Sequence, residues 1–195
     1  METIFEYFKD VNQALLRTCV TDYTGKELLL QEGIDIWVEE AKKIKNTDRC
    51  IYFCGNGASA TMAEHLSHDC FQNMVVNTYT CSEVAHITAI SNDISYEDVF
   101  SYRISRVGKK GDMLVAISSS GNSPNIIKAI KAAREKEMFV VTLTGKAASN
   151  AARKMGSINF YVPLNTYGMV ESAHAILLHS WLDTYMDKYI EGGRH

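Results

Sequence analysis

At 195 residues the chain has the length of one domain, and by burying roughly 70% of its unfolded surface it needs neither disulfides nor a metal merely to fold. Apolar residues make up 46% and charged residues 22%, and 20 Lys plus Arg against 23 Asp plus Glu give a formal charge of -3, which argues against nucleic-acid binding through a broad basic field. Two prolines, Pro124 and Pro163, and no linker-like stretch argue against long disorder and a two-domain hinge.

The N-terminal stretch METIFEYFKDVNQ has no basic region and no continuous apolar core, so it is not expected to be a signal peptide. The spacing of Ile4, Phe8, Val11 and Leu15 predicts one face of a first helix. The polar TDYTG stretch interrupts it, and Leu28 to Leu30, Ile34, Trp37, Val38, Ala41 and Ile44 predict a second helix. Two helices ahead of any strand are expected to cover one side of the domain or pack on another subunit.

From Cys50 the pattern alternates between strand and helix. CIYFCG reads as a buried parallel strand, GNGASATMAEHLSHDCF as a loop entering a helix, and VVNTYT (75–80) as a second strand. Residues 82–90 are ambiguous, and SYEDVFSYRISRV begins another helix. MLVAIS (113–118) reads as a strand, SSGNSP as a loop and Asn125 to Lys136 as a helix. MFVVTLT (138–144), a short helix in KAASNAARKM, INFYVP (158–163) and a long apolar helix over 169–190 follow. The succession of βαβ units predicts a parallel sheet with helices on both faces and a ligand site beyond the carboxyl ends of its strands. No apolar run approaches about 18 residues, so no membrane span is expected. Cys19, Cys50, Cys54, Cys70 and Cys81 form no zinc-type Cys-x-x-Cys, and small buried apolar residues are the plainer reading of Cys50 and Cys54. Reducing cytoplasm is the expected compartment.

The segment Ser118-Ser119-Ser120-Gly121-Asn122-Ser123 follows a strand and opens a helix, crowding four hydroxyls and a glycine into six residues. Gly121 permits a tight turn, and free N–H groups and the dipole at the helix start favour an anion. No lysine of the G-K-[ST] type follows, so a small phosphate monoester suits the loop better than a nucleoside triphosphate. Ser123 before Pro124 also reads as an N-cap, but one cap needs one serine. Gly55-Asn56-Gly57-Ala58-Ser59 is a second, weaker loop signal. Behind it, helical spacing puts His65 and Asp69 one turn apart on the edge of a buried Met62–Leu66–Cys70 stripe, as a surface pair or a pair sharing a metal or proton. His174 and His179 lie in the terminal helix, where a lone histidine most simply bonds to backbone.

The loops GNGASA, SND (91–93), GDMLVAISSSGNSPNII and VVTLTGK resemble those of the sugar isomerase (SIS) domain family, and the N-terminal helices and length resemble its phosphoheptose isomerase subgroup. The resemblance implies a three-layer, flavodoxin-like α/β sandwich with a five-stranded parallel sheet, preceded by two helices and assembled as a homotetramer with interfacial active sites. It divides the single domain, 1–195, into an oligomerisation segment (1–48) and a sugar-phosphate-binding core (49–190). The implied activity is aldose–ketose isomerisation of sedoheptulose 7-phosphate to a heptose 7-phosphate through an enediol, for surface-polysaccharide heptose. Alternatives are an isomerase of another ketose phosphate and a non-catalytic regulator like the replication-initiator-associating SIS protein.

Carried over residue by residue, the resemblance implies that Ser118, Ser119, Ser120 and Ser123 bind phosphate. Asn56, Gly57, Ala58 and Ser59, with Asn92, Asp93 and Glu171, bind the sugar. Asp69 and His179 are the implied catalytic pair. One zinc on His65, Asp69, Glu171 and His179 is the implied cofactor, with no nucleotide, nucleic acid or membrane as partner. Asp69 stands where the family has glutamate, Glu171 where it has glutamine, Asn73 where arginine is frequent, and Ala58 where a second glycine is common. The stretch from Asp69 to Asn92 is also several residues shorter. Glu171 and His179, eight residues apart, are separated by about 12 Å along an ideal helix. They converge only if Glu171 sits in an irregular helix start or if side chains of different subunits meet.

Overall fold

The computed structural model describes residues 3–193. Helix α1 (Ile4–Leu16) is followed by a short hairpin, β1 (Cys19–Asp22) and β2 (Glu27–Leu28), and by α2 (Leu30–Lys42). The alternating part runs β3 (Cys50–Cys54), α3 (Ala58–Asp69), β4 (Asn77–Tyr79), α4 (Val84–Asp93), α5 (Ser101–Val107), β5 (Met113–Ser118), α6 (Pro124–Glu135), β6 (Phe139–Thr144), β7 (Ile158–Tyr161) and α7 (Tyr167–Tyr189). The sheet order is β2-β1-β7-β6-β5-β3-β4. The expected five parallel strands are present as β7-β6-β5-β3-β4.

The hairpin corrects the all-helical reading of residues 1–48. β1 pairs antiparallel with β7 and extends the sheet to seven strands, so the first segment is part of the sheet rather than only a cover for it. A four-residue strand with one buried side chain, Val20, carries too little periodicity to be seen in sequence. Of the ambiguous residues 82–90, those from Val84 on fall in α4, while KAASNAARKM forms only a 3-10 turn at Ala152–Lys154.

Strand alternation builds two apolar cores. Met113, Val115 and Ile117 of β5 face α2, α3 and α7, whereas Leu114 and Ala116 face α5 and α6. On the first face Trp37 of α2 stacks on Trp181 of α7 with ring centroids 4.3 Å apart, and Phe160 of β7 lies 5.6 Å from Trp37. The predicted face of α1 is only partly used: Val11 is buried, but Ile4 and Phe8 are exposed. His174 behaves as expected of a lone core histidine, its Nε2 3.2 Å from the Thr144 carbonyl. Burial pushes its pKa down to about 4. Of Cys50 and Cys54, Cys54 is buried as expected and Cys50 only half-buried; burial raises the pKa of both thiols, which fits packing residues rather than reactive ones.

The chain leaves β3 toward β4 on one side and later returns through β5 on the other. The carboxyl ends of β3 and β5 therefore flank the point where strand order reverses, which is where open parallel sheets bind ligands.

Candidate active site

Two loops meet at that point. In the loop after β5, Gly121 has φ +64°, and a Cβ there would lie 2.0 Å from Asn150 Oδ1, so only glycine fits. Gly121 N–H donates to the Ser118 carbonyl at 3.0 Å and to Ser118 Oγ at 3.1 Å. The 150–153 turn braces the loop from behind: Ala152 N–H donates to the Gly121 carbonyl at 2.9 Å and Ala151 N–H to Asn122 Oδ1 at 3.0 Å. Ser123 takes the N-cap position of α6 with Pro124 behind it, but its hydroxyl makes no capping bond. The expected cap is therefore positional only. Ser119 Oγ is buried and has no hydrogen-bond partner. A buried hydroxyl left unpaired is costly, and a ligand acceptor would satisfy it.

These serines line a cavity of about 170 Å³ with Asn56, Ser59, Ile117, Tyr167 and Glu171. The volume is below that of ordinary drug-sized sites and suits a phosphoryl group. Its wall holds no Lys or Arg and one carboxylate, Glu171, so the donors available to an anion are hydroxyls, the Asn56 amide and the start of α6. Of the first loop, Asn56 and Ser59 reach the cavity. Gly57 (φ +56°) is the N-cap of α3 and Ala58 its first residue. A roomier cleft of about 570 Å³ at the opposite end of β3 has its cations paired off, Lys109 with Asp48 and Arg103 with Glu83.

Farther along the same helices, His65 Nε2 lies 3.3 Å from Asp69 Oδ2, as the one-turn spacing predicts. The rings of His65 and His179 are 5.3 Å apart, and ligand atoms of His65, Asp69 and His179 all fall within 4.8 Å of one another. Two imidazoles and a carboxylate are the donor set of a catalytic zinc site. At metal–ligand distances of about 2.0–2.2 Å, tetrahedral donors lie roughly 3.4 Å apart, so small rotamer changes would close the trio on an ion. His65 and His179 are exposed, which leaves room for a further ligand. The residues thus form a group that fits a metal ion.

Glu171 stands apart from this trio, in the wall of the serine cavity. It sits inside a regular α7 that begins at Tyr167, so an irregular helix start does not bring it to His179. Asn92 and Asp93 end α4 on the surface, with Asn92 Nδ2 donating to Asp93 Oδ1 at 2.8 Å, and do not line the cavity. Tyr167, Tyr96 and Asn125 went unnoticed in sequence. Tyr167 lines the cavity, while Tyr96 and Asn125 bond to Asn56.

Three comparisons with known proteins identify the family of the chain. A profile of the SIS domain matches residues 7–145. The phosphoheptose isomerase of Shewanella denitrificans is 39% identical over 141 residues, covering 68% of this chain and 72% of that protein. The structure of phosphoheptose isomerase from Neisseria gonorrhoeae superposes with a TM-score of 0.79 at 29% identity, over 92% of this chain and 93% of that one. The structure of a phosphoheptose isomerase from Francisella tularensis gives the same TM-score at 25% identity, over 93% and 95%. The relatives named above are phosphoheptose isomerases, and the chain belongs to the SIS domain family.

Proposed function

We propose that the protein is an aldose–ketose isomerase of a sugar phosphate, converting sedoheptulose 7-phosphate to a heptose 7-phosphate for surface-polysaccharide heptose. One observation carries this reading: a phosphate-sized serine cavity and an acid–base trio lie at different heights along the same two helices. The amino ends of α3 and α7 share the cavity and their later turns share the trio, so the helices run parallel. His65 lies six residues beyond Ser59, and His179 eight beyond Glu171. These spacings correspond to roughly 9 and 12 Å along the helices.

An extended carbon chain advances about 1.25 Å per single bond of about 1.5 Å, so phosphorus and the first carbon of a seven-carbon sugar phosphate are about 10 Å apart. That length supports a heptose with its phosphate among Ser118, Ser119, Ser120 and Ser123 and its carbonyl end beside the trio. A five-carbon chain falls about 2.5 Å short by the same arithmetic.

Isomerisation moves one proton between C1 and C2 and another between the two oxygens. Asp69, its carboxylate mostly covered, is positioned to take the carbon-bound proton, and His179 to serve the oxygens. A zinc ion held by His65, Asp69 and His179 would polarise the carbonyl and stabilise negative charge on the enediol oxygens. Hydroxyls of the sugar have Ser59 and Glu171 as partners, while Asn56 joins the serines around the phosphoryl group. Asn92 and Asp93, outside the cavity of their own chain, belong to the sugar site through a second subunit in this proposal. A homotetramer is supported by the apolar surface that α1 exposes through Ile4, Phe5, Phe8 and Leu16. Free thiols at Cys19, Cys50, Cys54, Cys70 and Cys81 suit the cytoplasm.

Asp69→Asn and His179→Ala are each expected to lower turnover of sedoheptulose 7-phosphate by about a hundredfold or more, the usual contribution of a positioned acid or base. Full activity in both variants would refute the assignment.

A further inference from the structure

Asn56 is the cavity residue with the most elaborate support. Its Nδ2 donates to Asn125 Oδ1 at 2.9 Å, and Asn125 Nδ2 donates back to Asn56 Oδ1 at 2.9 Å. Asn56 Oδ1 also accepts from Tyr96 OH at 3.0 Å. A reciprocal pair of carboxamides is by itself degenerate, because turning both over preserves both bonds. One contact removes the degeneracy. The backbone N–H of Ile126 donates to Asn125 Oδ1 at 2.9 Å, and a backbone N–H can only donate. Asn125 is therefore held with its oxygen toward the start of α6, which fixes the orientation of Asn56. Tyr96 must then donate its hydroxyl proton, since Asn56 presents it only an oxygen.

The support comes from three separate elements. Asn125 is 2% exposed in the first turn of α6. Tyr96 opens a 3-10 turn (Tyr96–Asp98) that Lys128 of α6 clamps through Asp98 at 2.9 Å and Glu97 at 3.2 Å. Asn56 sits in the loop after β3. With three of its bonds fixed, Asn56 keeps one N–H free, on a residue that lines the serine cavity. We propose that Asn125 and Tyr96 are positioning residues that lock the Asn56 carboxamide, so that its remaining N–H is a preset donor to the phosphoryl group bound in this cavity. The proposal rests on the phosphate reading of the cavity. In a site without a cationic side chain, one misoriented amide would turn an oxygen toward an anion, so the lock protects both affinity and sign of charge.

The test measures binding of inorganic phosphate to the full-length protein by calorimetry and phosphorus NMR, alongside thermal unfolding and sedoheptulose 7-phosphate kinetics. Tyr96→Phe removes one exposed hydroxyl and should weaken phosphate binding about fivefold, the equivalent of one hydrogen bond, at unchanged thermal midpoint. Asn125→Asp should weaken it at least tenfold, because a second carboxylate oxygen would face Asn56 Oδ1. In kinetics the loss should appear in KM rather than in kcat, as expected for binding made equally in ground and transition states. Ser119→Ala separates the two claims. If it weakens phosphate binding while Tyr96→Phe and Asn125→Asp bind as the parent does, the lock is wrong and the cavity reading stands. If the parent binds no phosphate, both fall. A lowered thermal midpoint in Tyr96→Phe with unchanged phosphate affinity makes Tyr96 structural and also overturns the lock.

Discussion

At the scale of single residues, the serine loop depends on one backbone conformation. Gly121 turns the chain at φ +64° against the Asn150 side chain, between Ser118–Ser120 on one side and Ser123 on the other. Gly121→Ala adds a left-handed strain of roughly 1–2 kcal/mol and a clash that Asn150 can relieve only by releasing its own bonds to the Gly145 and Ala147 carbonyls. We expect phosphate affinity to fall at least tenfold while the far-ultraviolet circular dichroism spectrum is kept; calorimetric titration measures the loss. Much of this residue chemistry was legible beforehand. His65 and Asp69 were paired by helical spacing alone, and the serine run announced an anion. His179 and Glu171 were named by resemblance, and only the fold separates them, one into the trio and the other into the cavity wall. Tyr96 and Asn125 escaped notice because a tyrosine in a surface turn and an asparagine after an N-terminal proline carry no pattern of their own.

The elements divide in the same way. The strands with nearly continuous apolar runs, β3, β5 and β6, were readable because burial on both faces leaves few polar residues, such as Thr142, to interrupt them. The hairpin was not, since its pairing with β7 is a long-range contact that no local window contains. Helix α7 is the spine of the molecule. Its inner face packs on α2 and the sheet, and His174, Leu178, Trp181 and Tyr185 are fully buried along it. Removing the Trp181 ring opens a void against Trp37. Trp181→Ala should therefore cost about 3–5 kcal/mol in chemical denaturation and also reduce turnover, because α7 carries His179. A variant of near-parental stability would show that the stacked indoles contribute little to holding α2 and α7 together.

For the whole molecule, buried His174 links stability to pH. Its pKa is about 4 in the fold and 6.5 when exposed, so between those values the unfolded chain binds more protons than the native one. Stability from this group is complete above pH 6.5 and is lost as pH falls toward 4, by on the order of 3 kcal/mol. His174→Gln should flatten the fall in thermal midpoint between pH 7 and pH 4.5; an unchanged slope would exclude His174 as its source. The arrangement that matters most at this scale is the pair of parallel helices rising from the strand-order switch, with the serine cavity at their feet and the His65–Asp69–His179 trio farther along. Charge and composition give no hint of it, because serine hydroxyls and a helix start leave no basic signature.

The most direct measurement of that arrangement follows sedoheptulose 7-phosphate by proton NMR in deuterated buffer, with zinc-loaded and chelator-treated protein and with five- and six-carbon ketose phosphates in parallel. The account predicts conversion of the seven-carbon substrate to its aldose, slower or no conversion of the shorter sugars, and loss of rate with chelator. No conversion of any ketose phosphate by the zinc-loaded protein, or conversion of the five-carbon sugar as fast as the seven-carbon one, would contradict it.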